Sequence, residues 1–242
     1  MKHTYSFAGV PIRVTHAYDH ITEASADYET AMPPELEVAV SQADIDRERT
    51  PNGSATPQKE IFPAAYWESL AFLRQASDAM APLGVILFHG AAVAVDGRAY
   101  IFAAPSGTGK STHISIWREL LGDRMTIING DKPFIRKVNG EFRVFSSPWN
   151  GKENWGRKMD VPLAAICFLH RNETNEIRRI TSGEAFRAAY RQCHRPADVE
   201  ATRHVMLTMT EMINSCALYS LGCNMLPEAG KLSFETMTGG TL

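Results

Sequence analysis

One short segment constrains this chain more than anything else in it. Residues 104–111 read Ala-Pro-Ser-Gly-Thr-Gly-Lys-Ser and fit the pattern GxxxxGK[ST], with Ala104 standing in the first glycine position. That departure is mild, because the later positions are the ones that touch phosphate. Gly107 and Gly109 allow successive backbone N–H groups to turn inward without Cβ clashes, which makes an anion nest. A helix following the loop points its positive end at the same place. Lys110 is then set to bridge the β- and γ-phosphates of a nucleoside triphosphate, and the Ser111 hydroxyl to bind Mg²⁺. Pro105, Ser106, Gly107, Thr108, Gly109, Lys110, Ser111 and Thr112 are the candidate nucleotide contacts.

The flanking pattern supports this. Residues 85–95 are an apolar run read as one strand, Asp96-Gly97 is a two-residue turn signal, and residues 98–103 return as a second strand that feeds the loop. Behind the loop, Ile114, Trp117 and Leu121 share one side of a helix over 113–121, and 125–129 read as the next strand. Strand, loop, helix, strand is the order of an α/β fold. Trp67, Leu70, Leu73 and Met80 mark an amphipathic helix over 63–80. Further on, Asn139-Gly140 signals a hairpin between 134–138 and 141–146, and 162–170 reads as a buried strand. Helices follow over 182–191 and 196–215, then a strand near 217–221 and a last helix from Pro227.

The beginning of the chain has a different character. Short β-prone pieces at 10–14 and 36–40 are separated by polar and Pro-rich stretches, and 44–59 collects charges with Pro51, Gly53 and Pro57, reading as a linker or exposed loop. The expected division is a small β-rich N-terminal unit with its linker over 1–58 and a nucleotide-binding domain over 59–242.

A phosphate site with Mg²⁺ also needs a carboxylate. Asp131 follows the 125–129 strand, which would bring it beside the loop on a parallel sheet, to hold Mg²⁺ or to take a proton from an attacking hydroxyl. The plainer alternative is a turn-capping Asp ahead of Pro133. His89 lies in the strand paired with the one feeding the loop, so it either reaches the phosphates from the side or is a satisfied core histidine. Residues 147–156, Ser-Pro-Trp-Asn-Gly-Lys-Glu-Asn-Trp-Gly, are polar, aromatic and turn-rich, and suggest a substrate- or phosphate-contacting loop with Lys152 and Glu153 as its chemically able members. The alternative is an exposed loop anchored by two tryptophans.

Composition narrows the partners. With 25 Lys and Arg against 27 Asp and Glu, the formal net charge of −2 offers no general attraction to nucleic acid or to an anionic membrane. No signal-like or membrane-spanning run is read, so a cytoplasmic protein is expected. The 4 cysteines are widely spaced and read as reduced structural thiols.

Together, His89-Gly90, Ser-Gly-Thr-Gly-Lys-Ser-Thr over 106–112 and Asn129-Gly130-Asp131 resemble the catalytic domain of the HPr serine kinase/phosphorylase family and, more distantly, ATP-dependent phosphoenolpyruvate carboxykinase. The likeness covers about residues 85–170, and the 148–153 stretch looks like that of small bacterial HPr-kinase-like proteins, some of which phosphorylate a hydroxyl on a peptide or small molecule. It implies a mixed sheet flanked by helices, ATP and Mg²⁺ as cofactors, Lys110 and His89 assisting at the phosphates, Ser111 holding Mg²⁺, and Asp131 as base, in agreement with the roles read from the residues, where Asp131 also serves as a candidate metal ligand. Those families usually carry two adjacent acids. Here Gly130 occupies the first position, and an ERGLG-like metal-binding stretch is absent.

The expected function is Mg²⁺-ATP-dependent transfer of the γ-phosphoryl group to a hydroxyl acceptor, on a peptide, protein or small molecule. The alternative is an ATP-binding regulatory module without phosphotransfer. Lys152 joins the candidate nucleotide contacts, and a homo-oligomer remains open.

Overall fold

The computed structural model describes residues 1–50 and 62–241. The expected boundary at residue 58 and most of the linker therefore lie outside the described residues. A first sheet is built from β1 (Lys2–Phe7), β2 (Val10–Thr15) and β3 (Leu36–Ala39), with β1 and β2 antiparallel and β2 and β3 parallel. The first of these strands went unread in the sequence because Lys2, His3 and Thr4 open it with a polar run and no Gly or Pro precedes them. The helices α1 (His20–Ala24) and α2 (Gln42–Arg49) follow. The sequence reading of an exposed loop from residue 44 is corrected here. Ser41 and Asp44 form a reciprocal capping box that starts α2, and Arg74 bonds Asp44 and Glu48 at 3.1 and 2.6 Å.

The rest of the fold is α/β around a mixed nine-stranded sheet. Its elements are α3 (Ala64–Met80), β4 (Val85–Leu87), β5 (Ala91–Val95), β6 (Arg98–Ala103), α4 (Lys110–Leu121), β7 (Met125–Asn129), β8 (Phe134–Val138), β9 (Glu141–Phe145), β10 (Asp160–Arg171), β11 (Glu176–Arg179), α5 (Ser182–Gln192), α6 (Val199–Ser215), β12 (Ala217–Cys223) and α7 (Pro227–Thr238). The main path runs β4-β8-β9-β10-β6-β5-β7, with β12 parallel to β10 and β11 on its far edge. Alternation explains the continuous apolar runs of the centre. Ala99, Ile101 and Ala103 of β6 face a core shared with α5 and α6, while Tyr100 and Phe102 face the core under α4 and α7. Among the described residues, no helix is long and apolar enough to cross a membrane.

Two details of the sheet decide where chemistry can occur. The 85–95 run is two strands, not one: β4 pairs β8, β5 pairs β6, and the chain changes partner at Phe88-His89-Gly90. Gly90 is required at this crossing, since a Cβ there would stand 2.9 Å from Ile101 Cγ2 and 3.2 Å from the Phe102 carbonyl oxygen. Second, β7 does not flank the loop-bearing β6. Strand β5 lies between them, antiparallel to both, so the start of β5 and the ends of β6 and β7 meet at one sheet edge.

A third core joins the small sheet to the large one. Tyr5, Phe7 and Val10 pack with Phe72 and Met80 of α3 and with Phe134 of β8. On the opposite side, α4 and α7 are pinned by a buried polar set: Trp117 Nε1 donates to Ser233 Oγ at 2.8 Å, and His113 Nε2 lies 2.9 Å from the same oxygen. Ser233 donates to the Gly230 carbonyl, so His113 presents Nε2–H and leaves Nδ1 without a partner. Burial lowers the His113 pKa from 6.5 to about 4. Between those values the unfolded chain binds the proton and the folded chain does not, so stability falls as the pH drops through that window and is unaffected by His113 above it. His113 is expected to cost about 2 kcal/mol between about pH 7.5 and about pH 5, and urea denaturation of His113→Gln should show that much less pH dependence.

Candidate functional site

The loop after β6 has the conformation its glycines permit: φ is +75° at Gly107 and +116° at Gly109, both in the left-handed range. Gly109 is the N-cap of α4 with no side-chain cap, which leaves the first N–H groups of the helix free toward the loop. Lys110 is buried and its Nζ donates to the Ala104 carbonyl at 2.8 Å, folding the side chain under the loop. Burial lowers its pKa, while the nearby Asp131 charge raises it and Lys132 lowers it further. Ser111 is half-buried and Thr112 exposed in the first turn of α4, and Pro105 and Ser106 are exposed. Arg171, at the end of β10, donates to the Gly107 carbonyl at 2.6 Å and adds a cation beside the loop that the sequence reading missed.

Asp131 and His89 meet at the same edge. The 88–90 crossing is tied to the segment after β7 by Gly90 N–H to the Asp131 carbonyl at 2.9 Å and Phe88 N–H to the Pro133 carbonyl at 3.0 Å. That pairing brings His89 Nε2 to 3.1 Å from Asp131 Oδ1, while Lys132 Nζ sits 2.7 Å from Asp131 Oδ2. Burial pushes the Asp131 carboxyl up, but the hydrogen bond from His89 and the charge of Lys132 outweigh it and hold the group well below the usual carboxylate range. Asp131 is therefore ionised, and both its oxygens are engaged. Lys132, adjacent in sequence, was not singled out before.

A buried carboxamide fixes this geometry. Asn129 Oδ1 accepts the backbone N–H groups of Asp131 and Lys132 at 2.8 and 2.6 Å, and Asn129 Nδ2 donates to the carbonyl and hydroxyl oxygens of Ser147, both at 3.0 Å. The 147–156 loop is thereby fastened to the end of β7, and Gly156 bridges Asn129 on the way out. Its two tryptophans anchor it to different cores: Trp149 Nε1 donates to Ser69 Oγ at 2.9 Å among Phe7, Phe72 and Phe134, and Trp155 lies under the Arg118 guanidinium at 4.5 Å. Lys152 and Glu153 are exposed at the tip, while Gly151 backs onto Asp131, a Cβ there standing 3.2 Å from the Asp131 Cβ.

This packing accounts for glycine at position 130. A Cβ there would lie 2.6 Å from the Asn150 carbonyl oxygen and 3.3 Å from that of Trp155, so the loop backbone fills the space a first acid would need.

The donors suit a phosphate-bound Mg²⁺ better than a free-standing metal site. Among the described residues no group of three or more His, Cys, Asp or Glu could hold a metal alone. Mg²⁺ bound with a nucleotide needs only one or two protein oxygens, the phosphates and water supplying the rest. Ser111 and Asp131 can fill that role.

On the other side of His89 is a cavity of about 320 Å³ lined by Leu87, His89, Lys132 and the segment Arg191–Arg195. The backbone builds this wall: Phe88 bridges Cys193, His89 N–H donates to the Gln192 carbonyl at 2.7 Å, and His194 N–H donates to the Leu87 carbonyl at 2.9 Å. No local motif marked these residues, because they meet His89 only through chain pairing across about half the sequence.

Residues 67–201, more than half of the chain, match the family described as SynChlorMet cassette protein ScmC, and the chain belongs to that family. No curated protein matches it. Among solved structures it is similar to the HPr(Ser) kinase/phosphatase from Coxiella burnetii, at 8% identity and a TM-score of 0.36, over 63% of this chain and 93% of that one. A likeness so distant carries no argument about activity.

Gly130→Ala forces the loop and the β7 end apart. It is expected to cost about 1–3 kcal/mol of stability, read by chemical denaturation, and to raise amide hydrogen exchange across 147–156 while the α4 and α7 amides stay protected.

Proposed function

We propose that the chain is a Mg²⁺-ATP-dependent kinase that moves the γ-phosphoryl group to a hydroxyl acceptor on a peptide, protein or small molecule. The observation that carries this reading is the meeting, at one sheet edge, of a glycine-rich loop with a buried lysine and an ionised carboxylate bonded to a histidine. In this reading the domain over 59–242 is a nucleotide-binding unit of the HPr kinase and carboxykinase type, preceded by a β-rich unit over 1–58.

The residues divide the work. The amides of 105–112 and Lys110 hold the phosphates and stabilise charge on the transferring group. Ser111 and Asp131 hold Mg²⁺, which neutralises phosphate charge when bound. Asp131 receives the acceptor's hydroxyl proton as the acceptor oxygen bonds to the γ-phosphorus, while the bond from that phosphorus to the bridging oxygen breaks and ADP leaves. A carboxylate held so far below its usual range is a weak base, which suits a loose transition state where the hydroxyl loses its proton late. His89 donates its Nε2–H to Asp131 and orients that carboxylate, and Lys152, exposed on the 147–156 loop, is a further contact for the nucleotide.

A second reading, an ATP-binding regulatory module, is favoured by one feature: both oxygens of Asp131 are engaged by His89 and Lys132, and Gly130 supplies no second acid.

Purified chain with γ-labelled ATP, Mg²⁺ and cell extract separated into protein and small-molecule fractions decides between them. The kinase reading expects label in one fraction. Asp131→Asn should cut that transfer by about 10²–10⁴-fold with nucleotide binding nearly intact, and Lys110→Ala should impair both. Undiminished transfer by Asp131→Asn would remove Asp131 as base, and ATP binding with no label in either fraction would favour the regulatory module.

A further inference from the structure

We infer that the cavity between the 88–90 crossing and the 192–195 segment is an anion pocket of the acceptor, built to hold a carboxylate or phosphate group carried beside the acceptor's hydroxyl. The inference rests on the kinase reading for the word acceptor, and on the cavity alone for the anion.

The charges around the cavity are one-sided. Its ionisable lining is Lys132, Arg191, Arg195, His89 and His194, with no carboxylate among the lining residues. The acids that reach this wall are already spent: Asp131 engages His89 and Lys132, and Asp78 binds His194 Nε2 at 2.7 Å. Arg191 and Arg195 have no carboxylate within 4.0 Å among the described residues, and Arg195 instead rests over the Tyr190 ring at 5.3 Å. Two exposed guanidinium groups without a carboxylate partner, on a wall whose backbone is held by three contacts to the 87–89 segment, are available to an oxyanion.

A second observation is independent of charge. Gln192 lines the same cavity and is nine-tenths buried, yet its Oε1 has no hydrogen-bond partner. A buried carboxamide oxygen without a donor is costly, and because this oxygen is sealed from solvent, an N–H or O–H of a bound acceptor reaches it once the carboxamide turns toward the cavity. The cavity is lined by His89 and Lys132, the two side chains that also hold the Asp131 carboxylate, so a group anchored there lies one side chain away from the proposed base. At about 320 Å³ the space suits a small anionic head and not a whole folded partner.

The test uses the full chain with Mg²⁺ and a non-hydrolysable ATP analogue, so that the phosphate loop is filled before any other anion is added. Glycerate and inorganic phosphate are each titrated at up to about 10 mM, enough to fill a site of about 1 mM affinity, and followed by NMR shifts of the Gln192 side-chain amide and by calorimetry. Saturable binding of glycerate identifies a carboxylate source, and of phosphate a phosphoryl source. In the Arg191→Gln/Arg195→Gln double variant either affinity should fall at least about tenfold, with affinity for the ATP analogue unchanged. Equal anion affinity in the double variant, or no binding of either probe, overturns the inference and leaves the kinase reading standing. Should the analogue itself fail to bind, the kinase reading falls, and the same titrations on Lys110→Ala still score the pocket.

Discussion

A fully buried asparagine must find partners for its carboxamide oxygen and nitrogen at once, and Asn129 does so by joining two segments of chain. Its oxygen curls Asp131 and Lys132 into a tight turn, and its nitrogen grips Ser147, whose hydroxyl in turn donates to the Lys132 carbonyl. The direction of the Asp131 carboxylate, the close approach of the 147–156 backbone and the need for glycine at 130 all descend from that one side chain. An unpaired polar group at this depth costs on the order of 1–3 kcal/mol, so the alternative arrangements are penalised together.

The sheet supplies what a single turn cannot. Because β5 runs against both β6 and β7, its beginning sits where those strands end, and a histidine just before β5 is delivered to the loop and the carboxylate without any long excursion. The same crossing at 88–90 spends its outward backbone groups on Gln192 and Leu87's partner His194, so the edge of the sheet beside Asp131 is covered by the end of α5 and not left open. Electrostatically the result is a compact alternation: buried Lys110, ionised Asp131, then Lys132 and the arginines beyond.

Much of this was readable wherever the signal is local. The loop residues, the strand ahead of them, the helix behind them and the hairpins at Asp96-Gly97 and Asn139-Gly140 follow from backbone preferences written into a few adjacent residues, and φ is positive at all four of those hairpin positions. His89 and Asp131 could be named singly but not as a touching pair. The apolar run of 85–95 hides its break because Phe88 and Gly90 are as compatible with a strand as with a crossing, and only the side chains of β6 show why glycine is needed. Arg191, Gln192 and Arg195 carry no periodic or motif signal, since their position depends on strand pairing with residues far upstream. Helix α2 was misread from its charges, which turn out to serve its cap and Arg74.

The anchoring of the 147–156 loop has a consequence for how the chain comes off the ribosome. The glycine-rich loop, His89 and Asp131 are all synthesised before Ser147, and the 192–195 wall is later still. Until those segments arrive, Asn129 has half of its partners missing and the backbone of 88–90 has an open flank. Closing such distant pairings carries a loop-entropy cost that local contacts cannot offset, so they form late. Vectorial synthesis thus separates the presence of the reactive groups from their alignment, and a nascent or prematurely terminated chain carries the parts of the site without its geometry.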